Sequence, residues 1–297
     1  MNKLPFRSNS GQVLLVTLLI MAVVLTIGLS LISRSITDVR ISKQTEDAAR
    51  AYSAAEAGIE AALIGGTNET FIFSETGAKY SLDVAGLGEG GTEYVFPQKV
   101  SVNEIQTFWM ADASDLSQVY NRNKLRVVWG NEGNGLISDQ DPALEVSIYY
   151  LDGTTYKVGR FTLDPYSSRS PDPSFCNPGE IGLSQCQSID NFSVSNETVG
   201  GKNFRFGSDL NLSAAGIYGG GKTALFARLR IYYSGTSQII GVKAVGGGSG
   251  SFSAQGTKIE STGQSGQSTR KVVVVRANPA PPEIFDFVLY SGGDLVK

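Results

Sequence analysis

The sequence contains no histidine and only two cysteines among its 297 residues. The lack of histidine excludes Ser-His-Asp and Cys-His nucleophile systems, His general bases and His-based zinc sites, and two cysteines cannot build a Cys-only structural zinc site. Charged residues are also few, at 18%, with a net charge of -3. A net charge this small creates too weak an electrostatic field to hold a polyanion. We therefore expect no nucleic-acid partner. We expect no enzyme, cofactor or metal site, and a hydrolase built on carboxylates alone is the alternative.

An apolar run at residues 13–32 is the least ambiguous pattern in the sequence. Fifteen of its 20 residues are Leu, Ile, Val or Met, and no charge occurs between Arg7 and Arg34. At about 1.5 Å of rise per residue, a helix of this length covers the roughly 30 Å hydrocarbon core of a bilayer. The alternative is a secretory signal peptide, but Ser33-Arg34-Ser35 provides no small-residue cleavage site. The run predicts a membrane-spanning helix, and Lys3 and Arg7 favour a cytoplasmic N-terminus.

The helical pattern continues beyond the apolar run. Steps of three or four residues predict one helix face, which comprises Ile41, Thr45, Ala48, Tyr52, Ala55, Ile59 and Leu63. Glu46 and Arg50 are spaced for an i,i+4 ion pair, and Gly65-Gly66 ends the helix. Such a rod is about 80 Å long, and a bilayer covers less than half of it. The outer half must therefore pack on something.

The first 64 residues combine a polar segment at residues 7–11, the long apolar helix, and Ala51-Tyr52-Ser53-Ala54-Ala55-Glu56-Ala57-Gly58-Ile59-Glu60. This combination resembles the N-terminal region of PilX-type minor pilins of type IV pili. In that family a prepilin peptidase cuts after a glycine, which the resemblance places at Gly11, so that Gln12 becomes the new N-terminus. Type IV pilins usually have Phe at that position and Glu at the fifth mature position, where this chain has Gln12 and Val16. Because that Glu pairs with the N-terminal amine of a neighbouring subunit, its absence implies a minor subunit.

The resemblance also implies partners and a location. The expected partners are other pilin or pseudopilin subunits, which contact the N-terminal helix, the prepilin peptidase, and the inner (cytoplasmic) membrane before assembly. The chain would be a single-pass protein of the cytoplasmic membrane with its ectodomain outside, and would reach the cell surface or a pilus after assembly. Residues 1–11 would be the leader and 12–64 the helix. A secretion-system tip pseudopilin and a non-assembling, membrane-anchored adhesin or binding domain are the alternatives.

Strand patterns dominate the remainder, so the predicted fold class is α+β, a long transmembrane and stalk helix followed by a β-rich sheet or sandwich ectodomain. Asp152-Gly153 is typical of a tight hairpin turn. We divide the ectodomain into a first β-rich part at 67–165, a loop at 166–189 and a second β-rich part at 190–297. The predicted strands are 79–84, 105–110, 124–129, 144–150, 156–163, 225–233, 239–245, 257–261 and 271–276.

The loop at 166–189 is rich in proline, which excludes regular structure there. It contains Cys176 and Cys186, ten positions apart. Outside the cytoplasm such a pair predicts a disulfide, and two free thiols are the alternative.

The end of the chain predicts a β-hairpin, in which the four consecutive valines at 272–275 indicate burial on both faces. Segments 258–263, 268–275 and 281–291 more weakly resemble the close of pilin-like ectodomains.

One further motif resembles a nucleotide site. Residues 216–223 fit the P-loop pattern of Gly, four residues and Gly-Lys-Thr. That loop requires a buried parallel strand before it and a helix after it, whereas 209–213 alternates half-polar residues and 224–233 has the composition of a strand. The pattern therefore predicts a glycine-rich hairpin turn.

Overall fold

A computed structural model of the chain describes residues 10–65, 67–169, 175–181, 183 and 186–282. The predicted α+β layout is confirmed, because one long apolar helix precedes a region of antiparallel sheets. The helix is α1 (Ser10–Leu63). The strands are β1 (Glu69–Ile72), β2 (Lys79–Gly86), β3 (Glu93–Val95), β4 (Ile105–Trp109), β5 (Asn121–Asn131), β6 (Ala143–Asp152), β7 (Thr155–Leu163), β8 (Ile189–Ser193), β9 (Glu197–Val199), β10 (Lys202–Asn211), β11 (Lys222–Tyr232), β12 (Ile240–Ser249), β13 (Gly256–Ser265) and β14 (Ser268–Ala277).

Each predicted strand is present, and the Asp152-Gly153 hairpin joins β6 to β7 with Asp152 opposite Thr155. Gly153 has a φ of 63°, which a glycine adopts without steric penalty. The prediction missed β1, β3, β8, β9 and β10. Strand β10 was missed because it carries Ser208 and Asp209, which the fold buries at 0% and 6% exposure, so no apolar alternation marks it in the sequence.

The described chain forms two compact units. The first contains the chain up to Val84 together with Ile259–Val274, and the second contains Ala85–Lys258 and the residues from Val275 onward. The predicted loop at 166–189 lies within the second unit and does not separate the two units. Strand β6, before that loop, pairs with β11 after it, from Asp152 opposite Lys222 to Ala143 opposite Tyr232. Long-range antiparallel pairing of this kind joins into one body the two parts that the proline-rich loop separates in sequence.

In the second unit two sheets share one hydrophobic core. Their strand orders are β3-β12-β5-β10-β8, with β9 also paired to β10, and β4-β11-β6-β7. The core takes side chains from both sheets, among them Trp129 from the larger and Ile148 from the smaller, each 0% exposed.

The two cysteines lie in the same core and are joined in a disulfide with a Cα–Cα distance of 5.8 Å. The amide of Cys176 donates to Thr162 O at 2.9 Å, and the amide of Asp164 donates to Cys176 O at 2.9 Å. The loop segment at Cys176 is therefore hydrogen-bonded to the end of β7.

The loop at 216–223 leads from β10 in the larger sheet to β11 in the smaller one, so the hairpin interpretation is wrong. Its glycines at 216 and 219–221 have positive φ values, and the Lys222 ammonium donates to Gly216 O at 2.7 Å. Strand β11 begins at Lys222, within the motif, and covers most of the segment predicted as a strand. The loop is a crossover between sheets, which local sequence cannot distinguish from a hairpin turn.

The first unit contains a sheet with the order β1-β2-β13-β14. Expected burial of both faces of the valine run is wrong, because Val273 and Val275 are 47% and 42% exposed. Strand β14 ends the order of its sheet, and only the face with Val272 and Val274 packs on the cluster that contains Ile259. The resembling segment at 281–291 lies outside the described residues from 283 onward.

Candidate functional site: the helix surface and its contact with the first sheet

Helix α1 is uncovered over most of its length. Every side chain from residue 13 to residue 46 is exposed apart from half-buried Gly28, and we call this stretch the bare segment. It includes Leu14 at 71% and Met21 at 73% exposure. The helix is long and apolar enough to cross a membrane, and none of its most apolar window is buried within the protein.

The C-terminal end of α1 packs on the β1-β2-β13-β14 sheet of the first unit, which we call the first sheet, through a stripe of mostly small residues. The buried positions are Ala51, Ala54, Ala55, Gly58 and Ile59. The predicted face was partly wrong: Ala55 and Ile59 are buried, but Tyr52 and Leu63 are 49% and 50% exposed. The buried stripe is rotated toward the positions with the smallest side chains, because these let the sheet approach the helix backbone most closely.

Two glycines mark where the helix and the sheet approach most closely. A Cβ built on Gly263 of β13 would lie 1.9 Å from Ala51 O and 2.6 Å from Ala55 N. A Cβ on Gly58 would lie 2.2 Å from Ser261 Oγ and 2.9 Å from Tyr80 Cδ2. Neither glycine has a positive φ, so each is required for space and not for backbone conformation. We call this pair of contacts the glycine contact.

An apolar cluster flanks the glycine contact. Ile59 packs with Tyr80, Leu82 and Ile259, all of them buried. The Tyr80 hydroxyl donates to Glu69 Oε1 at 2.9 Å, and burial followed by that hydrogen bond raises the pKa of Tyr80 above its usual value. The ring of Phe71 stacks on Tyr80 with a centroid distance of 5.7 Å. The end of α1 is therefore held by apolar packing around a close backbone approach.

Ser261 provides a first test of this contact. Its Oγ is buried and has no hydrogen-bond partner in the described part of the chain. Because an unsatisfied buried hydroxyl is unfavourable, we expect Ser261→Ala to leave the free energy of unfolding unchanged or to raise it by about 1 kcal/mol. Gly58→Ala alone should lower the free energy of unfolding of the first unit, and adding Ser261→Ala should restore part of that loss. A double-mutant cycle, in which hydrogen exchange of the β13 amides reports the stability of each variant, measures this coupling. Strict additivity of the two changes would contradict the contact.

The residues of the expected processing site lie at the start of α1. Gly11 and Gln12 are in its first turn, and the side chain of Gln12 is outside the described part of the structure. Val16 lies in the bare segment at 49% exposure. The Glu46–Arg50 ion pair predicted on the same helix is present, at 2.5 Å. Gly11, Gln12 and Val16 thus lie near the start of α1, and the cysteines lie in the second unit.

Sequence reasoning missed the glycine contact, although a signal for it exists. A glycine costs about 1 kcal/mol relative to alanine in a helix and weakens a strand, so Gly58 in an alanine-rich helix and Gly263 in a strand both suggest a close backbone approach.

Among the described residues no group of three or more Cys, Asp or Glu side chains is placed to hold a metal ion. Comparison of the chain with protein-family models, with curated proteins and with solved structures found no match.

Proposed function

We propose that this chain is a minor type IV pilin-like structural subunit that a prepilin peptidase processes and that assembles through α1 into a pilus or a pilus-like filament. The observation that supports this most strongly is that one unbroken helix, α1, has an exposed first part and a packed last part. Its first part is bare and apolar, and its last part packs on the sheet of its own first unit. The β-rich region would then be displayed for assembly priming, adhesion or another surface interaction.

The length of the bare segment favours assembly over simple anchoring. A membrane span requires about 20 residues, whereas the uncovered helix runs from residue 13 to residue 46. A plain anchor has no need of a rigid continuation, since a flexible linker would hold a domain at the membrane equally well. The exposed apolar run at 13–32, followed by exposed Ile36, Val39 and Ile41, offers a surface to other helices. Each large side chain buried there contributes about 1.5 to 3 kcal/mol relative to exposure to water.

The glycine contact supports the same proposal. It brings the last turns of α1 so close to β13 that a Cβ on Gly263 would overlap backbone atoms of Ala51 and Ala55. A helix that transmits its position in a filament to a displayed domain needs such a rigid attachment. The secretion-system pseudopilin alternative shares these features, and differs in the machine that the subunit joins.

Processing at Gly11 is the decisive test. With a prepilin peptidase co-expressed, we expect intact-mass analysis of the membrane fraction to show loss of residues 1–11, with Gln12 at the new N-terminus. Gly11→Val should leave the precursor uncut, because the peptidase of the resembling family requires glycine before the cut. Ser10→Ala is the matched control and should be processed normally.

A mature protein that retains Met1 would contradict the proposal. A chain that is processed but stays with the membrane after filaments are sheared off would favour the non-assembling adhesin. Filaments of a pilus and of a secretion system are then distinguished by the bulk subunit that is recovered with the chain.

A further inference from the structure

The second unit contains an open cleft of about 480 Å³. This volume lies within the range of small-molecule pockets, about 300 to 1,000 Å³. The polar and aromatic residues that line it are Asn103, Asp139, Gln140, Tyr232, Tyr233 and Ser234. Neither filament assembly nor the disulfide uses these side chains.

The backbone at two lining residues takes a conformation that L-residues rarely adopt. Asn103 has a φ of 66° and Tyr233 a φ of 58°. Asparagine tolerates this region, but a bulky aromatic residue there is a clear outlier. Backbone strain of this kind is concentrated at functional sites. Tyr233 lines the cleft with this backbone conformation and is 42% exposed.

The Tyr233 ring is held in place by Arg169 and by the rings of Phe175 and Tyr232, whose centroids lie 6.2 Å and 6.0 Å from its own. The Arg169 guanidinium carbon lies 4.3 Å from the ring centroid, in a cation–π contact. Arg169 is itself fixed, since its Nε lies 2.8 Å from Asp164 Oδ2 and its Nη atoms donate to Asp139 O at 2.8 Å and Asp141 O at 2.7 Å. A ring positioned in this way is preorganised for stacking, so ligand binding does not have to order it.

The polar lining suits hydroxyl groups. Asn103 and Gln140 are exposed amides that both donate and accept hydrogen bonds, and Asp139 is an exposed carboxylate that accepts them. A sugar hydroxyl also donates and accepts, and the C–H face of a pyranose packs on an aromatic ring. No Lys or Arg is among the described residues that line the cleft, whereas the Asp139 carboxylate is. The neighbouring Arg169 is paired with Asp164, so the cleft disfavours an acidic ligand.

We propose that this cleft binds a neutral saccharide unit, with the Tyr233 ring as its stacking platform and the Asn103 amide as a hydrogen-bonding partner. The inference goes beyond the proposed function, because it depends on neither processing nor assembly. A negative result in the binding experiment therefore leaves the pilin proposal intact, and unprocessed protein would leave the cleft unchanged.

The test uses the full chain in a zwitterionic detergent, since detergents with sugar headgroups would compete. Saturation-transfer difference NMR is measured with the methyl glycosides of glucose, galactose, mannose and N-acetylglucosamine. We expect at least one to receive saturation from the wild-type protein. Tyr233→Gly should weaken its binding at least tenfold, while Tyr233→Phe, which keeps the ring, should change it less than threefold.

Glycine is chosen because it accepts the positive φ of Tyr233 without strain, so the variant should keep its fold by circular dichroism. Leu116→Gly is the matched control, because Leu116 has the same φ of 58°, is 40% exposed and does not line the cleft. Asn103→Gly should weaken binding severalfold. Absence of saturation for all four glycosides, unchanged binding by Tyr233→Gly, or stronger binding of methyl glucuronide would each overturn the proposal.

Discussion

Replacing Gly263 with alanine should lower the free energy of unfolding of the first unit by about 3 kcal/mol, the upper part of the usual range for overpacking. The added Cβ would lie 1.9 Å from Ala51 O and 2.6 Å from Ala55 N. Both neighbours are backbone atoms of a regular helix, so neither can turn aside as the end of a flexible side chain would. The helix and the sheet would have to separate, and the cluster around Ile59 would lose packing.

Hydrogen exchange followed by mass spectrometry measures this effect where it occurs. Amides of β13 and β14 within residues 259–274 should exchange about 100-fold faster in Gly263→Ala, as a loss of about 3 kcal/mol implies. Tryptophan fluorescence would be a poor reporter, because Trp109 and Trp129 both lie in the second unit. Gly135→Ala is the control, since a Cβ there meets no atom within 4 Å. Equal exchange in the two variants would show that helix and sheet are not in such close contact.

If the chain enters filaments, it should be present in at least tenfold fewer copies than the bulk subunit. The resemblance to type IV pilins places Val16 at the fifth mature position, where a carboxylate would pair with the N-terminal amine of a neighbour. An ammonium group buried in an apolar filament core without a partner costs several kcal/mol. Each insertion of this chain therefore leaves one such group unpaired, which limits it to the tip or to rare positions.

Quantitative mass spectrometry of sheared filaments measures the copy number. We expect Val16→Glu to raise the amount of the chain in that fraction severalfold, because the new carboxylate supplies the missing partner. Leu15→Glu is the matched control: it adds the same charge one position earlier on another face of the helix and should not raise incorporation. Recovery of the wild-type chain as the most abundant subunit would refute the charge argument, as would equal incorporation of both variants.

Patterns that repeat over short distances were predictable from the sequence. The apolar run at 13–32 could only be a long helix, and alternating branched and aromatic residues located strands such as β6 and β11 before their partners were known. The resemblance at Gly11 and Gln12 likewise depends on contiguous residues. In each case the signal is carried by neighbours in the chain, whose spacing local geometry converts directly into a helix, a strand or a motif.

Partners distant in sequence were decided only by the tertiary structure. Gly58 and Gly263 are separated by about 200 residues, and no short-range sequence pattern indicates that β13 packs against the last turns of α1. The four valines at 272–275 predicted a strand buried on both faces. Strand β14 instead lies at the end of its sheet order, and two of the valines are exposed. The cleft joins Asn103, Asp139 and Tyr233, which belong to three separate loops. Composition and spacing determine which elements form, whereas which faces become buried depends on long-range strand order and on where small side chains permit close approach.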